Sequence, residues 1–341
     1  MKILLIGSGG IGRRHLKNLK ALRPETKVTL WRQLGRRELS ADVLALIDRI
    51  VLTQQEALES KPDAAIIASP ASRHIPTALA LAWEGVALFI EKPLSDDLEG
   101  VDELLEVSHR RNLVLMVGYC LRFFQPLLEI KRILDEGELG RPIYFRAEAR
   151  QNLADWRSGI NYRETASARR ELGGGVLLEL SHEFDSARWL MGEVESIWAH
   201  AAKLSDLEID VEDTADASVV FASGARGGVH LNMTERPGGR FYRIVATKGT
   251  IEWNSQEGGV RFFSHTAGQW RTAWNPDTYD RNAMYVDELQ HFLDCLPAKR
   301  DPMVNGQEGK KTLELVLAAK ESVRTDRRVD LELPAHSIEA L

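Results

Sequence analysis

Two short strings in this chain have the residue types and spacing that chemistry needs. The first is Gly7-Ser8-Gly9-Gly10-Ile11-Gly12, which satisfies G-x-G-x-x-G directly after the apolar run Ile3-Leu4-Leu5-Ile6. Gly7 permits a tight turn, Gly9 lets an anion approach the backbone, and Gly12 lets the following helix pack closely on the strand. The N-terminus of that helix then offers free N–H groups, so the string reads as a cradle for a dinucleotide pyrophosphate. The second is Glu91-Lys92-Pro93, at the end of another apolar run. Beside a nicotinamide, a lysine ammonium there can donate to a substrate oxygen and stabilise the alkoxide that develops as hydride leaves, or assist proton transfer. Pro93 fixes the turn, and a cis bond at residue 93 would lock the lysine's aim further. Taken alone, a Glu-Lys-Pro tripeptide is equally a surface turn.

Two further stretches bear on the same ligand. About twenty residues past the glycines, where an acid would hold a ribose 2′-hydroxyl, stands Trp31-Arg32-Gln33. A cation at Arg32 suits a 2′-phosphate, with Arg13, Arg36 and Arg37 able to add to it, so NADP is favoured over NAD; the alternative is a solvated basic face. Ala68-Ser69-Pro70 ends another apolar run, and its small residues and proline let a loop pass close to a ligand in the crevice. His74, just beyond, either caps the next helix or sits near the nicotinamide ribose. The expected cofactor-binding set is therefore Gly7, Ser8, Gly9, Gly10, Ile11, Gly12, Arg32, Ser69, Pro70, His74, Glu91 and Lys92.

These positions need a scaffold, and the hydrophobic pattern supplies one. Strands are expected over 3–6, 28–31, 50–53, 64–68, 87–91 and 113–118, with helical periods over 11–22, 41–48, 54–60, 75–84 and 98–110 between them. This alternation predicts an α/β, Rossmann-type dinucleotide-binding domain with a parallel sheet over 1–121. A helix over 122–136 bridges to a second domain, 122–341, of α+β texture. There, strands over 142–150, 196–203, 215–222, 227–234, 242–246 and 259–264 suggest one large, mostly antiparallel open sheet, with helices over 176–191, 285–296 and 310–323. Such a sheet has a face to cover, by its own helices or by a second subunit, so a homodimer or homotetramer through the C-terminal sheet is expected.

Composition narrows the partners. With 341 residues, 44% of them apolar, the chain can bury two cores. A net charge of -6 gives no general attraction to nucleic acid. Cys120 and Cys295 are the two cysteines, which allows neither a disulfide framework nor a cysteine metal site and fits a reducing cytoplasm. No histidine pair has helical ligand spacing, so no metal is expected. The apolar start ends after four residues at the glycine cluster and reads as a first strand rather than a signal peptide. No run approaches the roughly 20 apolar residues of a membrane-spanning helix.

The glycine loop, Glu91-Lys92-Pro93, Gly118-Tyr119-Cys120-Leu121-Arg122-Phe123, and Gly173-Gly174-Gly175 followed by His182 and Asp185 together resemble the Gfo/Idh/MocA oxidoreductases. The resemblance spans nearly the whole chain, including Val211-Glu212-Asp213-Thr214-Ala215 and Gly249-Thr250-Ile251-Glu252. It implies a Rossmann domain plus an open-faced sheet domain, and hydride transfer to or from sugars, cyclitols or related polyols. It also implies an acid and a histidine, four apart on the helix after the triple glycine, facing the substrate beside the motif lysine. This chain departs from that spacing: Glu179 and His182 are three apart, which would still share one helical face. Lys92, His182 and Glu179 are the expected catalytic residues, with His182 exchanging the alcohol proton.

Arg122, Trp156, Arg157, Tyr162, Arg163 and Asp185 are the candidate substrate contacts. Aromatic side chains suit sugar faces and arginines suit carboxylates or phosphates, which would make the carbohydrate-like substrate anionic. Two rival readings stay open: a reductase of a non-carbohydrate substrate, of dihydrodiol or biliverdin type, and a non-catalytic dinucleotide sensor.

Overall fold

The computed structural model describes residues 1–33, 38–157, 159–275 and 280–333. Two compact units result: Met1–Cys120 with Arg281–Leu313, and the described residues of Leu121–Asp280 with Glu314–Leu341. In the first, β1 (Lys2–Ile6), α1 (Gly10–Leu22), β2 (Lys27–Trp31), α2 (Ala41–Leu44), β3 (Arg49–Val51), α3 (Gln54–Glu59), β4 (Ala64–Ile67), α4 (His74–Trp83), β5 (Ala87–Glu91), α5 (Val101–Arg110) and β6 (Leu115–Gly118) alternate. The strands pair in parallel in the order β3-β2-β1-β4-β5-β6. Helices cover both faces, which is why β4 and β5 are apolar runs buried at every residue. Strand order reverses between β1 and β4, so the crevice at their carboxyl ends is where such a sheet takes a ligand.

The second unit begins with α6 (Gln125–Glu136) and β7 (Pro142–Arg150), then α7 (Val176–Glu179), α8 (His182–Met191), β8 (Val194–Ala202), β9 (Thr214–Phe221), β10 (Arg226–Asn232), β11 (Gly239–Ala246), β12 (Gly249–Asn254), β13 (Val260–Ser264) and β14 (Gln269–Trp274). The helix α9 (Ala283–Ala298) returns to the first unit, α10 (Gly306–Thr325) starts there and ends in the second, and β15 (Val329–Asp330) joins the second sheet. That sheet runs β14-β13-β12-β11-β7-β10-β9-β8-β15, antiparallel except where β10 lies parallel to β7. Alternation decides its faces: Ala215, Ala217, Val219 and Phe221 of β9 are buried, on the side where α8 packs against β7. Tyr144 and Trp198 stand exposed. The fold class is the one the hydrophobic pattern predicts.

Several elements differ from expectation for identifiable reasons. Residues 281–313 group with the first unit rather than the second, because α9 buries Leu289 and Phe292, and Phe292 meets Phe89 of β5 edge-on at 5.5 Å. The bridging helix starts at Gln125, after a short 3₁₀ turn over Cys120–Phe123 and with Pro126 in its first turn, where a missing N–H costs nothing. The single helix expected over 176–191 breaks at Leu180, whose φ of −102° and ψ of 29° leave helical geometry. β12, β14 and β15 are additions to the expected strands. β14 has no buried residue and is held by pairing with β13 and by Trp270 against Phe263.

Candidate active site

In the first unit, the glycine loop has the shape the sequence requires. Gly7 sits at φ 92°, and a Cβ there would lie 2.5 Å from the Ala68 carbonyl oxygen. A Cβ at Gly12 would overlap the Gly7 carbonyl oxygen, whereas at Gly9 it would meet nothing within 4 Å. Gly7 and Gly12 thus let strand and helix close on each other, and Gly9 leaves open space at the N-terminus of α1. That terminus has no side-chain cap and no acid in its first turn, so its N–H groups face the opening. Ser8 is half-buried, Gly9 and Gly10 exposed, and Ile11 half-buried. Ser69 Oγ, at the neighbouring strand end, is buried with no hydrogen-bond partner among the described residues. An open cradle and an orphaned hydroxyl fit a dinucleotide.

Arg32 is half-buried at the end of β2, its N–H donated to the Val51 carbonyl at 3.0 Å. Arg13 turns back instead, its Nε donating to the Ser8 carbonyl at 3.1 Å; Arg36 and Arg37 lie outside the described residues. Pro70 is half-buried. His74, 1% exposed, has Nδ1 2.9 Å from the Pro93 carbonyl and Nε2 2.8 Å from the Ser69 carbonyl. Each ring nitrogen faces a backbone carbonyl; a neutral imidazole donates to one of the two, and burial pushes its pKa down despite both.

Glu91 ends β5 and is 7% exposed; one carboxylate oxygen lies 2.6 Å from Nε2 of the fully buried His15, and the other accepts the Lys92 N–H at 3.2 Å. Lys92 is half-buried and its bond to Pro93 is cis. Nearby, Arg14 lies over the Tyr285 ring at 4.2 Å. Cys120 beside the Tyr285 hydroxyl, followed by burial, holds that phenol well above its ordinary range. His15 and Tyr285 were not singled out from sequence. The signal for His15 was a polar residue interrupting the buried stripe of α1 that contains Leu16 and Leu19.

In the second unit, the helix break changes the expected geometry: Glu179 ends α7 and His182 begins α8, so the two do not share one helical face. Both are half-buried. Arg122 and Asp185, expected as substrate contacts, face each other in a two-pronged pair, Nε to Oδ2 at 3.0 Å and Nη2 to Oδ1 at 2.8 Å. The pair is buried, with Arg122 5.9 Å from the Trp189 ring centre. Next to His182, the buried Glu183 accepts from the Tyr242 hydroxyl at 3.1 Å and forms an ion pair with Arg240, its oxygen 2.6 Å from Nε. Burial, then the Glu183 charge, pushes the Tyr242 phenol up. This network pins α8 to β11 and was invisible in sequence.

Trp156, Arg157 and Tyr162 line one shallow depression with Leu153, Ile160 and Thr165. Arg163 pairs with Glu208, whose N–H the Tyr162 hydroxyl accepts at 3.2 Å. Among the described residues, no group of three or more His, Cys, Asp or Glu side chains is placed to hold a metal, and no helix is long and apolar enough to cross a membrane.

Two family descriptions match the chain: "Oxidoreductase family, NAD-binding Rossmann fold" over residues 1–119 and "GFO/IDH/MocA C-terminal domain" over residues 127–252. The myo-inositol 2-dehydrogenase of Thermotoga maritima is 27% identical, covering 97% of this chain and 99% of its own. The scyllo-inositol 2-dehydrogenase (NAD(+)) of Bacillus subtilis is 29% identical, over 98% of this chain and 97% of its own. A solved levoglucosan dehydrogenase in complex with NADH shares the fold at a TM-score of 0.85 and 20% identity, over 98% and 100% of the two chains.

Proposed function

Since the chain belongs to the Gfo/Idh/MocA oxidoreductase family, we propose that it transfers a hydride between a nicotinamide dinucleotide and a CH–OH group of a sugar or cyclitol, with Lys92, His182 and Glu179 as its polar catalytic groups. One observation carries the reading. In the parallel order β2-β1-β4-β5, the loops with Arg32, the glycines, Ser69 and Lys92 follow one another along the carboxyl edge of one sheet. Strands about 4.8 Å apart put Lys92 about 10 Å from the glycine loop. An extended dinucleotide on that edge would set its adenosine ribose by β2, its pyrophosphate on α1 and its nicotinamide by β5. The bound nicotinamide supplies the hydride chemistry.

Lys92 donates to the substrate oxygen as negative charge gathers there, and Glu91 fixes the lysine's backbone. His182 takes the alcohol proton in oxidation and returns it in reduction. Trp156, Arg157 and Tyr162 are the proposed sugar-facing wall; Arg157, exposed, is the cation for an anionic substituent. The finer cofactor reading is NADP, supported by Arg32 where an acid would select NAD. The exposed face bearing Tyr144, Arg146 and Trp198 supports a homodimer or homotetramer through this sheet. Two buried cysteines, neither in a disulfide, support a reducing cytoplasm as its compartment.

The test is a panel of myo-inositol, scyllo-inositol and D-apiose, with a dihydrodiol and biliverdin as contrasting substrates, followed by nicotinamide absorbance. Turnover confined to the polyols, and lost in Lys92→Ala with dinucleotide binding kept, is the expected result. Turnover of biliverdin or the dihydrodiol alone, or undiminished turnover in Lys92→Ala, would overturn it. Titration with NAD and NADP decides the Arg32 reading.

A further inference from the structure

We propose that two buried histidines, His15 and His74, are positioning residues that aim Lys92 and tie its backbone to the two loops that hold the dinucleotide. The inference rests on reading Lys92 as the donor to the substrate oxygen. It deepens that reading by naming what holds the lysine in place.

His15 projects from α1, whose N-terminus closes the glycine loop, and has no solvent exposure. A carboxylate only accepts, so Nε2 carries the proton in the 2.6 Å contact with Glu91, and Nδ1 has no hydrogen-bond partner among the described residues. Glu91's second oxygen receives the amide of Lys92. The path from pyrophosphate helix to lysine backbone is thus one side chain, one carboxylate and one amide.

His74 works from the other side. Its ring spans the Ser69 carbonyl, on the loop beside the cofactor crevice, and the Pro93 carbonyl, one residue past the lysine. Carbonyl oxygens only accept, so the neutral imidazole that burial favours donates its one N–H to one of them and holds the other in close contact. Lys92 therefore lies between two anchored peptide units, one held through Glu91 by α1 and one held by α4. A fold that needed only packing here would fill both places with apolar side chains, as it does at Leu16 and Ile75.

The two contacts of His74 can be separated. The amide nitrogen of asparagine falls near the place of Nδ1, and that of glutamine near the place of Nε2. His74→Asn can donate to the Pro93 carbonyl and loses the Ser69 contact; His74→Gln does the reverse. At saturating NAD+, with the best polyol of the panel, His74→Gln should lower kcat about tenfold while leaving the NAD+ Kd within about threefold. His74→Asn should raise the NAD+ Kd about tenfold and leave kcat within about threefold. His15→Leu should lower kcat about tenfold, and His15→Gln, which restores a donor, should recover most of it.

A measurement without substrate accompanies these: Lys92 labelling by trinitrobenzenesulfonate, mapped by mass spectrometry. Its rate should respond to NAD+ in wild type and His74→Asn, and not in His74→Gln. If the two His74 variants change Kd and kcat together, or NAD+ alters labelling equally in both, the proposal fails while the role of Lys92 stands. If Lys92→Ala turns over like wild type, the reading of Lys92 fails first and takes the proposal with it.

Discussion

Replacing Asp185 by alanine removes both carboxylate oxygens from the fork of Arg122, in a place where water cannot substitute for them. Arg122 and Asp185 side chains are 5% and 0% exposed, so solvent screening is small. Charge-assisted hydrogen bonds contribute about 1.5–3 kcal/mol each, and this pair has two, giving about 3–6 kcal/mol. Breaking a buried pair from one side costs about 3–5 kcal/mol by the independent route of stranded charge. The two agree on about 4 kcal/mol. Native-state hydrogen exchange of the α8 amides reads this locally, and urea unfolding followed by tryptophan fluorescence reads it for the whole molecule. Because His182 opens α8, kcat should fall with the stability. Arg122→Met combined with Asp185→Leu should recover at least half the loss, since neither charge is then buried. A cost under about 1 kcal/mol for Asp185→Ala, the value of an exposed pair, would refute the reasoning.

The remaining predictions address the cradle, the clamp and the sheet face. Gly9→Ala should leave the melting temperature unchanged, because its Cβ meets nothing within 4 Å, yet raise the dinucleotide Kd at least tenfold by filling the space meant for phosphate; an unchanged Kd in a calorimetric titration counts against the cradle. His74 has its pKa lowered by burial, so between its folded value and the unfolded value of about 6.5 the unfolded chain binds more protons. Its contribution to stability is present above about pH 6.5 and is lost as pH falls through the lower folded value. His74→Asn should flatten that acid-side slope in urea titrations run from pH 5 to 8, and an unaltered slope would remove His74 as its source. Trp198→Glu, placing a charge on an aromatic 48% exposed, should convert the proposed homodimer or homotetramer to smaller species by light scattering without lowering the unfolding midpoint, and an unchanged mass would remove this face as the interface.

Much of the scaffold was legible because its signals are local. The apolar runs of β1, β4 and β5 are continuous, since both faces of a parallel sheet are covered, and the glycines follow the first of them at once. What pairs across the chain was not legible. His15 and Glu91 are 76 residues apart, and Arg122 and Asp185 are 63 apart; read singly, the charged pair looked available to a substrate, and only the tertiary structure shows the two neutralising each other. A shared face for Glu179 and His182 requires an unbroken helix, and α7 ends at Glu179 while α8 begins at His182. Leu180-Ser181 contains neither proline nor glycine, so nothing local marked the break; α7 lies against β9 and β10, whereas α8 lies against β7. β14 escaped notice because an edge strand with no buried residue has no alternation to read.

The parallel pairing of β10 with β7 has a consequence for how this protein can change. Two parallel neighbours cannot be joined by a hairpin, so the chain must leave the sheet after residue 150 and travel back before it returns. Its departure is riveted by the N–H groups of Gln151, Asn152 and Leu153 on the carbonyls of Asn232, Glu235 and Met233. Between that rivet and α7 lies an excursion of short 3₁₀ turns holding Trp156, Arg157 and Tyr162. Such a detour can be lengthened, trimmed or recoloured without shifting a single ladder bond, which makes it the natural place for descendants of this enzyme to acquire a new appetite while keeping the same machinery.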